Sequence, residues 1–201
     1  MSATVIKYDS EVGRWEPNAR GRLEQAAMEL YVERGFEETT VADIAHRAGL
    51  SERTFFRHFA DKREVLFAGA SALQEHLVSA VASAPESLAP MDAVASGLHA
   101  VAALLQERRG REFARQRQAI IAANAELRER ELIKMAALAA ATAGALRRRG
   151  AREPAASLTA EAGIAVFRIA FERWVTGKQR RDLSRVIEDS LHQLKLAVAA
   201  T

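Results

Sequence analysis

One short segment near the N-terminus carries side chains of the kinds that can hydrogen-bond to the base edges of DNA. Phe55 and Phe59 lie four residues apart, so in a helix they share one face and pack inward. The opposite face then presents Glu52, Arg53 and Arg57. A guanidinium can bond O6 and N7 of guanine together, and a carboxylate can accept from cytosine. Arg53 is therefore the first candidate for a base contact.

Two short helices joined by a tight turn would hold these side chains in place. Thr40 can cap the first helix and Ser51 the second, which runs to about Phe59. The residues between the helices, Ala48 to Ser51, form a turn that contains Gly49. This is the helix-turn-helix signature, in which the second helix lies in the major groove. Amphipathic helix pairs with a glycine turn also occur in ordinary bundles, so the pattern alone leaves both interpretations open.

Helical periodicity continues on both sides of this pair. A helix is predicted at 18–34, ended by Gly35, and another begins at Lys62, capped by Asp61, and continues into the low 80s. Beyond a loop that contains Pro85 and Pro90, helices are predicted at about 91–108, 112–149 with a break near Asn124, 158–176 and 182–199. The predicted fold class is all-α, with an N-terminal three-helix helix-turn-helix domain and a C-terminal helical bundle.

The 201-residue chain lacks the residue patterns of common enzyme classes. It has no cysteine, no His-Glu-x-x-His pattern, no glycine-rich phosphate loop and no serine nucleophile elbow. Its five histidines show no metal-ligand spacing. The sequence therefore predicts neither an enzyme nor a cofactor or metal site.

Composition and charge predict a soluble, cytoplasmic protein without a membrane partner. Hydrophobic residues make up 49% of the chain, but no stretch approaches the ~20 apolar residues of a membrane span, and no signal-peptide pattern is present. The net charge of +3 is a weak indication of an anionic partner. Residues 14–66 contain nine Lys or Arg and ten Asp or Glu, so any positive surface there depends on the placement of charges.

Residues 23–66 resemble the DNA-binding region of the TetR (tetracycline repressor) family of transcriptional regulators. The matching positions, which fit without a gap, are Gly35-Phe36, Thr39-Thr40-Val41, Ile44-Ala45, Ala48-Gly49-Leu50-Ser51, Thr54-Phe55-Phe56, His58-Phe59, Lys62 and Leu66. The resemblance implies a dimeric repressor that is released from a palindromic operator by a small hydrophobic ligand. It also implies a flexible arm (1–17), a helix-turn-helix DNA-binding domain (18–66) and a helical ligand-binding and dimerisation domain (67–201).

The resemblance further implies which residues contact DNA. Thr40, Thr54, His58 and Lys62 would bond phosphates, and the free amides at the start of the helix of Lys62 would point the same way. Phe56 departs from the family, in which a tyrosine hydroxyl usually bonds a phosphate, so Phe56 would contact a thymine methyl or a sugar. Arg53 stands where a small residue is frequent, which strengthens it as a specificity determinant. The expected DNA contacts are Thr40, Ser51, Glu52, Arg53, Thr54, Phe56, Arg57, His58 and Lys62.

The last two predicted helices carry more apolar surface than one bundle can cover. Helix 158–176 has two apolar stripes, and a helix that is apolar on two sides contacts two partners. In the family these two helices form a four-helix contact with their copies, so a homodimer through 158–176 and 182–199 is predicted. A monomer with a thick central helix is the alternative.

A ligand pocket between the bundle helices follows from the resemblance. Its candidate walls are Leu98, Ala102, Leu105, Phe113, Ile120, Ile121, Leu138, Phe167 and Phe171, with a polar or anionic end of the ligand near Arg117 or Arg168. Any one of these residues could equally be ordinary core.

Three partners are expected: double-stranded operator DNA, an unidentified small-molecule inducer and a second copy of the chain. Arg14, Arg20 and Arg22 could also form an arm that enters the minor groove. Two other functions stay open, a constitutive or architectural DNA-binding protein without an inducer, and a small-molecule sequestering protein whose DNA contacts have decayed. Retention of Thr54, His58 and Lys62 argues against the second of these.

Overall fold

The computed structural model describes residues 18–108, 110–178 and 181–199. These residues form ten α-helices and no strand, which confirms the all-α fold class. The helices are α1 (Ala19–Arg34), α2 (Val41–Arg47), α3 (Glu52–His58), α4 (Lys62–Leu66), α5 (Ala70–Ser83), α6 (Pro90–Arg108), α7 (Gly110–Ala123), α8 (Ala125–Arg148), α9 (Ala155–Thr176) and α10 (Leu183–Ala199). None of the helices in these ranges is long and apolar enough to cross a membrane. The predicted arm, residues 1–17, lies outside the described ranges.

A single helix from residue 62 into the low 80s is a wrong prediction, because α4 and α5 are separate. Helix α4 ends at Leu66 and α5 begins at Ala70. Phe67 turns into the N-terminal core, where only 4% of its surface is exposed. The N–H of Ala70 then donates to the carbonyl of Phe67 at 2.9 Å, which continues the turn. The break thus coincides with an aromatic ring that is buried in the N-terminal core.

Two arginines from other helices stabilise this break. Arg20 of α1 donates to the carbonyl of Ala68 at 2.8 Å, and Arg117 of α7 donates to the carbonyl of Leu66 at 2.7 Å. Carbonyls at the end of a helix have no partner within the helix, so each bond offsets the cost of an unpaired group. The donors lie 48 and 51 residues away along the chain. The periodicity of the segment itself therefore cannot predict the break.

The predicted break near Asn124 is confirmed. Helix α7 ends at Ala123 and α8 begins at Ala125. The side-chain amide of Asn124 donates to the carbonyl of Ile120 at 2.7 Å, and its backbone carbonyl accepts from the N–H of Arg128 at 3.1 Å. One asparagine thus satisfies a group at the end of α7 and starts the hydrogen bonding of α8.

The N-terminal core is built from α1–α4 together with α7 and α8. Its buried members include Leu23, Ala27, Leu30, Phe36, Ile44, Phe55, Phe59, Val65, Leu66, Phe67, Ile120, Ile121 and Leu127. The core therefore extends well beyond residue 66. It joins the helix-turn-helix to the first part of the segment that the sequence assigns to ligand binding.

A second core lies between α5, α6, α8, α9 and α10, and it is almost entirely apolar. Its buried residue Thr142 donates its hydroxyl within α8, to the carbonyl of Leu138 at 2.8 Å. Two glycines allow the helices to approach closely. A Cβ at Gly97 would lie 2.7 Å from Cδ1 of Leu77, and a Cβ at Gly163 would overlap Cγ1 of Val94. Close packing of apolar side chains defines the interior of this part of the molecule.

Candidate nucleic-acid interface

The start of α2 is held by a reciprocal pair of hydrogen bonds. Oγ1 of Thr40 accepts from the N–H of Asp43 at 3.1 Å, and Oδ2 of Asp43 accepts from the N–H of Thr40 at 2.9 Å. The Thr40 hydroxyl also donates to Asp43 at 2.5 Å, and Arg34 forms an ion pair with the same carboxylate at 2.6 Å. Bonds from the side chain and backbone of Thr40, and from Arg34, hold the pKa of Asp43 well below its usual range. A phosphate at this helix start would compete with Asp43 for the hydroxyl proton of Thr40.

The turn between α2 and α3 is fixed both by its own backbone and by α1. Gly49 has a φ of 65°, in the left-handed region that favours glycine. The N–H of Leu50 donates to the carbonyl of Ala45 at 2.8 Å, which closes the end of α2. Arg22 of α1 donates to the carbonyl of Ala48 at 2.5 Å. The direction in which α3 leaves the turn is therefore tied to α1.

The inner side of α3 anchors the helix in the N-terminal core. Phe55 is fully buried and Phe59 is 4% exposed, with their ring centroids 5.5 Å apart. At the start of the helix, Oγ of Ser51 accepts from the N–H of Thr54 at 3.2 Å and lies 3.0 Å from the Thr54 hydroxyl. The predicted cap and the predicted inner face are both confirmed.

The outer side of α3 is exposed along its whole length. Glu52, Arg53 and Arg57 are all exposed, and so is 56% of Phe56. The ring of Phe56 stands edge-on to Phe55, with centroids 5.5 Å apart, so it is supported from below while its far face is free. The structure thus brings together the charged and apolar side chains that the sequence placed on one face.

Most cations around the helix-turn-helix are used inside the protein. Six of the eight Lys and Arg residues between 18 and 66 have protein partners. Four of them form ion pairs: Arg20 with Glu24, Arg34 with Asp43, Arg47 with Glu29 and Glu33, and Arg63 with Asp61 and Glu126. The other two donate to backbone carbonyls, Arg22 to that of Ala48 and Lys62 to three carbonyls. Arg53 and Arg57 have no hydrogen bond or ion pair to any residue that the structure describes. The two unpaired arginines lie one turn apart on α3, so both guanidinium groups are free to bind an external partner.

The side chain of Lys62 binds backbone carbonyls, whereas the family resemblance implies a bond to a phosphate. Its ammonium donates to the carbonyls of Phe36, Glu37 and Thr39, at 2.8, 3.1 and 3.0 Å. It also lies 4.4 Å from the centre of the Phe36 ring. In this arrangement Lys62 holds the loop before α2 and has no proton left for a phosphate.

The amides at the start of α4 are also occupied. Oδ1 of Asp61 accepts from the N–H groups of Arg63 and Glu64, at 2.8 and 3.0 Å. Burial raises the pKa of Asp61, but the hydrogen bonds from Arg63 and Glu64 outweigh it, so the pKa is lowered overall. The expected anion site at this helix start is therefore filled by the protein's own carboxylate.

His58 offers less to DNA than expected. Its Nε2 atom is buried and has no hydrogen-bond partner among the described residues. The phosphate contact that the family resemblance implies would have to use Nδ1 of the half-buried ring. In the described part of the chain, no three His, Asp or Glu side chains are grouped so as to hold a metal ion.

The structure separates the expected ligand residues into different environments. Leu98, Ala102, Leu138 and Phe167 are buried in the second core, with Leu105 and Phe171 partly buried against it. Phe113, Ile120 and Ile121 pack in the N-terminal core instead, because α7 lies against the helix-turn-helix. Arg168 is exposed on α9. The set is thereby corrected: these last four residues do not line the same space as the first six.

The contacts of Arg117 also correct the expectation that it lies near the polar end of a ligand. Arg117 instead joins α7 to α8 and to the end of α4. Its guanidinium forms an ion pair with Glu131 of α8 at 3.3 Å and lies 5.2 Å from the Phe67 ring, in addition to its bond to Leu66. Burial lowers the pKa of Arg117, and the charge of Glu131 opposes that shift. A side chain with these three partners is committed to holding α7 and α8 against the end of α4.

Sequence reasoning missed Tyr31 and expected other roles for Arg22 and Arg117, which the structure places in internal contacts. Arg117 lies four residues after Phe113 and three before Ile120, on an otherwise apolar face, and that irregularity is a usable signal. Arg22 and Tyr31 act on backbone carbonyls far along the chain, and nothing in local spacing reveals such partners.

The N-terminal part of the chain is similar in sequence to known proteins. Residues 24–68 match the sequence model of a family described as bacterial regulatory proteins, tetR family. The HTH-type transcriptional regulator TcmR of Streptomyces glaucescens is 39% identical over 82 residues, which cover 41% of this chain and 36% of TcmR. The match thus spans little more than a third of that relative's length.

Two solved structures are similar over most of the chain. FadR of Thermus thermophilus, a TetR-family transcriptional repressor in complex with lauroyl-CoA, is 26% identical with a TM-score of 0.54, covering 87% of this chain and 92% of FadR. SmeT, the repressor of the Stenotrophomonas maltophilia multidrug efflux pump SmeDEF, shares the fold at 22% identity with a TM-score of 0.60, covering 89% of each chain. The segment that holds the capped helix-turn-helix, residues 24–68, belongs to the TetR family of bacterial regulatory proteins, and the chain as a whole shares the all-helical fold of the TetR-family repressor FadR.

Proposed function

We propose that this protein is a DNA-binding transcriptional repressor that binds a palindromic operator through α3. The observation that carries the proposal is the pair of unpaired, exposed arginines on that helix, Arg53 and Arg57. Arginine is the side chain best suited to grip guanine in the major groove, because its two N–H groups match O6 and N7. The exposed ring of Phe56 lies beside them and suits the methyl group of thymine.

Neutral hydroxyls would supply the positioning contacts. Thr40 is exposed at the start of α2, and Ser51 and Thr54 lie together at the start of α3. Hydrogen bonds to phosphate fix the register of a protein on the duplex without reading sequence. Phosphate contacts of this kind therefore leave recognition to Arg53, Phe56 and Arg57.

Substitution of Arg53 tests the proposal directly. Genome-wide selection of bound DNA first identifies the operator, and fluorescence anisotropy then measures affinity for it. Arg53→Ala should cost about 1–3 kcal/mol and relax the preference at one base position in each half-site. Arg152→Ala, an exposed arginine in the loop between α8 and α9, removes the same charge away from α3 and should keep the preference. Uniform weakening over all sequences by Arg53→Ala would instead assign Arg53 to the phosphate backbone.

A two-fold operator requires a dimer, and α9 and α10 offer a surface for one. Large apolar side chains on these helices are about half exposed or more: Leu158, Ile169, Leu196 and Val198. Light scattering should give about twice the 22.0 kDa mass of the chain. The double substitution of Leu158 and Ile169 to Glu should give the monomer mass, whereas Leu88→Glu, in the loop before α6, should not. A monomeric wild type would also contradict the palindromic operator.

A small hydrophobic ligand is proposed to release the protein from DNA. Support comes from the apolar second core, where Leu105 and Phe171 are partly buried at its edge, and from the lauroyl-CoA complex of FadR. Lauroyl-CoA and lauric acid are therefore suitable first probes. Release of the operator by either probe, with weaker release from a Phe171→Ala variant, supports a site in the second core. Equal release from wild type and variant would place the ligand elsewhere.

A further inference from the structure

The ammonium group of Lys62 has a complete set of partners within the protein. An ammonium has three protons, and here they are directed at three backbone carbonyls between 2.8 and 3.1 Å away. Two of these bonds are partly buried, and the ring of Phe36 covers the cation at 4.4 Å. Such a site resembles a cation-binding cage more than a free lysine at a surface.

The three carbonyls belong to the loop that leads into α2. The loop is folded on itself, since the hydroxyl of Thr39 donates to the carbonyl of Gly35 at 2.7 Å and the N–H of Thr39 donates to the carbonyl of Phe36 at 3.3 Å. The next residue is Thr40, the cap of α2 and a proposed phosphate contact. The position of Thr40 over the DNA is therefore set by the loop that Lys62 gathers.

The backbone of Lys62 is itself held in place by α1 and by the cap of α4. Its backbone carbonyl accepts from the buried Tyr31 hydroxyl of α1 at 2.6 Å, and Asp61 caps the helix that Lys62 begins. A phosphate that drew the ammonium away would gain one contact and would break three bonds to carbonyls. The carbonyl of Phe36 would keep the N–H of Thr39, but the partly buried carbonyl of Thr39 would be left without a donor among the described residues. Because an unpaired buried carbonyl costs more than a surface hydrogen bond gains, this exchange is unfavourable.

We propose that Lys62 is a positioning residue for Thr40, acting through the loop of residues 36–39, and that it does not contact phosphate. The inference rests on the proposed DNA-binding function and deepens it. In this proposal the lysine at the start of α4 fixes the internal geometry of the helix-turn-helix.

Salt dependence separates a tether from a phosphate contact. Loss of a phosphate contact lowers the slope of log Kobs against log[salt] by about 0.9, whereas a neutral hydroxyl contributes no counterion release. Lys62→Met should therefore weaken operator binding by about tenfold with the wild-type slope. Lys178→Met, in the loop after α9, removes one equal charge and controls for net charge. A slope lower by about one unit in Lys62→Met alone would overturn the proposal.

An arginine at this position gives a second, opposite expectation. A planar guanidinium cannot direct three donors at three converging carbonyls, but it is an excellent phosphate ligand. Lys62→Arg should therefore bind as weakly as Lys62→Met. Affinity and slope like those of the wild type would show that charge at the phosphate backbone is what matters.

Coupling to Thr40 distinguishes positioning from a general structural role. If Lys62 acts through Thr40, the double variant with Thr40→Val should bind about as weakly as the weaker single variant, at a temperature where all are folded. Additive losses would mean that Lys62 acts on some other contact.

A measurement without DNA keeps the inference separate from the proposed function. The amides of Thr39 and Thr40 are hydrogen-bonded in the loop that Lys62 holds, and they should exchange with deuterium several-fold faster in Lys62→Met. Unchanged exchange would refute the tether even if the protein binds its operator. Faster exchange in a protein that binds no DNA would uphold the tether and refute the proposed function.

Discussion

The helix-turn-helix unit and the C-terminal bundle specify their shapes in different ways. In the first, polar side chains cap α2, α3 and α4, and long cations hold the loop and the turn. In the second, α5 and α8 begin without a side-chain cap, and glycines let helices pack closely over an apolar core. Hydrogen bonds are directional and apolar burial is not. The part that we propose to contact DNA is thus also the part in which three successive helices begin with a side-chain cap.

Breaking the junction between the two regions should have the largest effect. Arg117→Met removes the donor to Leu66 and leaves the partly buried Glu131 unpaired, so it should lower the free energy of unfolding by about 2–3 kcal/mol in urea titrations. Arg115→Met, two residues earlier on α7, removes an exposed pair with Glu112 and should change stability very little. Equal losses for both variants would mean that the partly buried contacts of Arg117 stabilise the protein no more than the exposed pair of Arg115 does.

The packing of the bundle can be tested with two glycines that differ only in their surroundings. Gly163→Ala places a methyl group against the stiff side chain of Val94 and should cost about 1–2 kcal/mol in the same titration. Gly144→Ala meets only the flexible ends of Arg148 and Arg147, at 3.6 and 3.7 Å, and should stabilise the protein by about 0.5–1 kcal/mol. A gain at both positions would show that α6 and α9 can separate without loss.

Capping in the helix-turn-helix should matter more than at the start of a bundle helix. Ser51→Ala removes the acceptor for the N–H of Thr54 and should cost about 1 kcal/mol. Gly69→Ala, at the start of α5, removes no such bond and has open space around it, so stability should change by less than about 0.5 kcal/mol. Thermal unfolding of the two variants checks the contrast.

Acidification should weaken the helix-turn-helix through Asp43, with a smaller effect. The pKa of Asp43 is lowered in the folded protein, so its stabilising contribution is complete above the usual value of about 4 and is lost as pH falls through the lower folded value. Asp43→Asn cannot titrate and should lose less stability than wild type between about pH 5 and pH 2. Identical pH profiles would show that the Thr40 and Arg34 bonds do not depend on this charge.

Local signals explain what could be predicted from the sequence. Thr40, Ser51 and Asp61 cap helices that begin at the next residue, so their role can be recognised from residues within four positions along the chain. Phe55 and Phe59 share a face by spacing alone. These features fix the helix-turn-helix and the exposed face of α3.

Features that depend on distant partners could not be predicted. Periodicity shows that Ile120 and Ile121 are buried, but not that they join the N-terminal core. The break after Leu66 depends on Arg20 and Arg117. Lys62 has the same local sequence whether it faces a phosphate or three carbonyls. The partners in each case are brought together by the fold and not by the spacing.

Under the proposed function, the internal ion pairs of the helix-turn-helix have a consequence for how the protein would search a genome. Random DNA attracts a protein mainly through its free positive charges, and here four of the eight described Lys and Arg side chains between residues 18 and 66 form ion pairs with the protein's own carboxylates. Few counterions are then released at an arbitrary site, so residence there should be brief and sliding along the duplex short. Competition from the great excess of non-operator sites falls accordingly. We expect such a regulator to reach its operator chiefly by repeated three-dimensional encounters and to occupy it at low copy number.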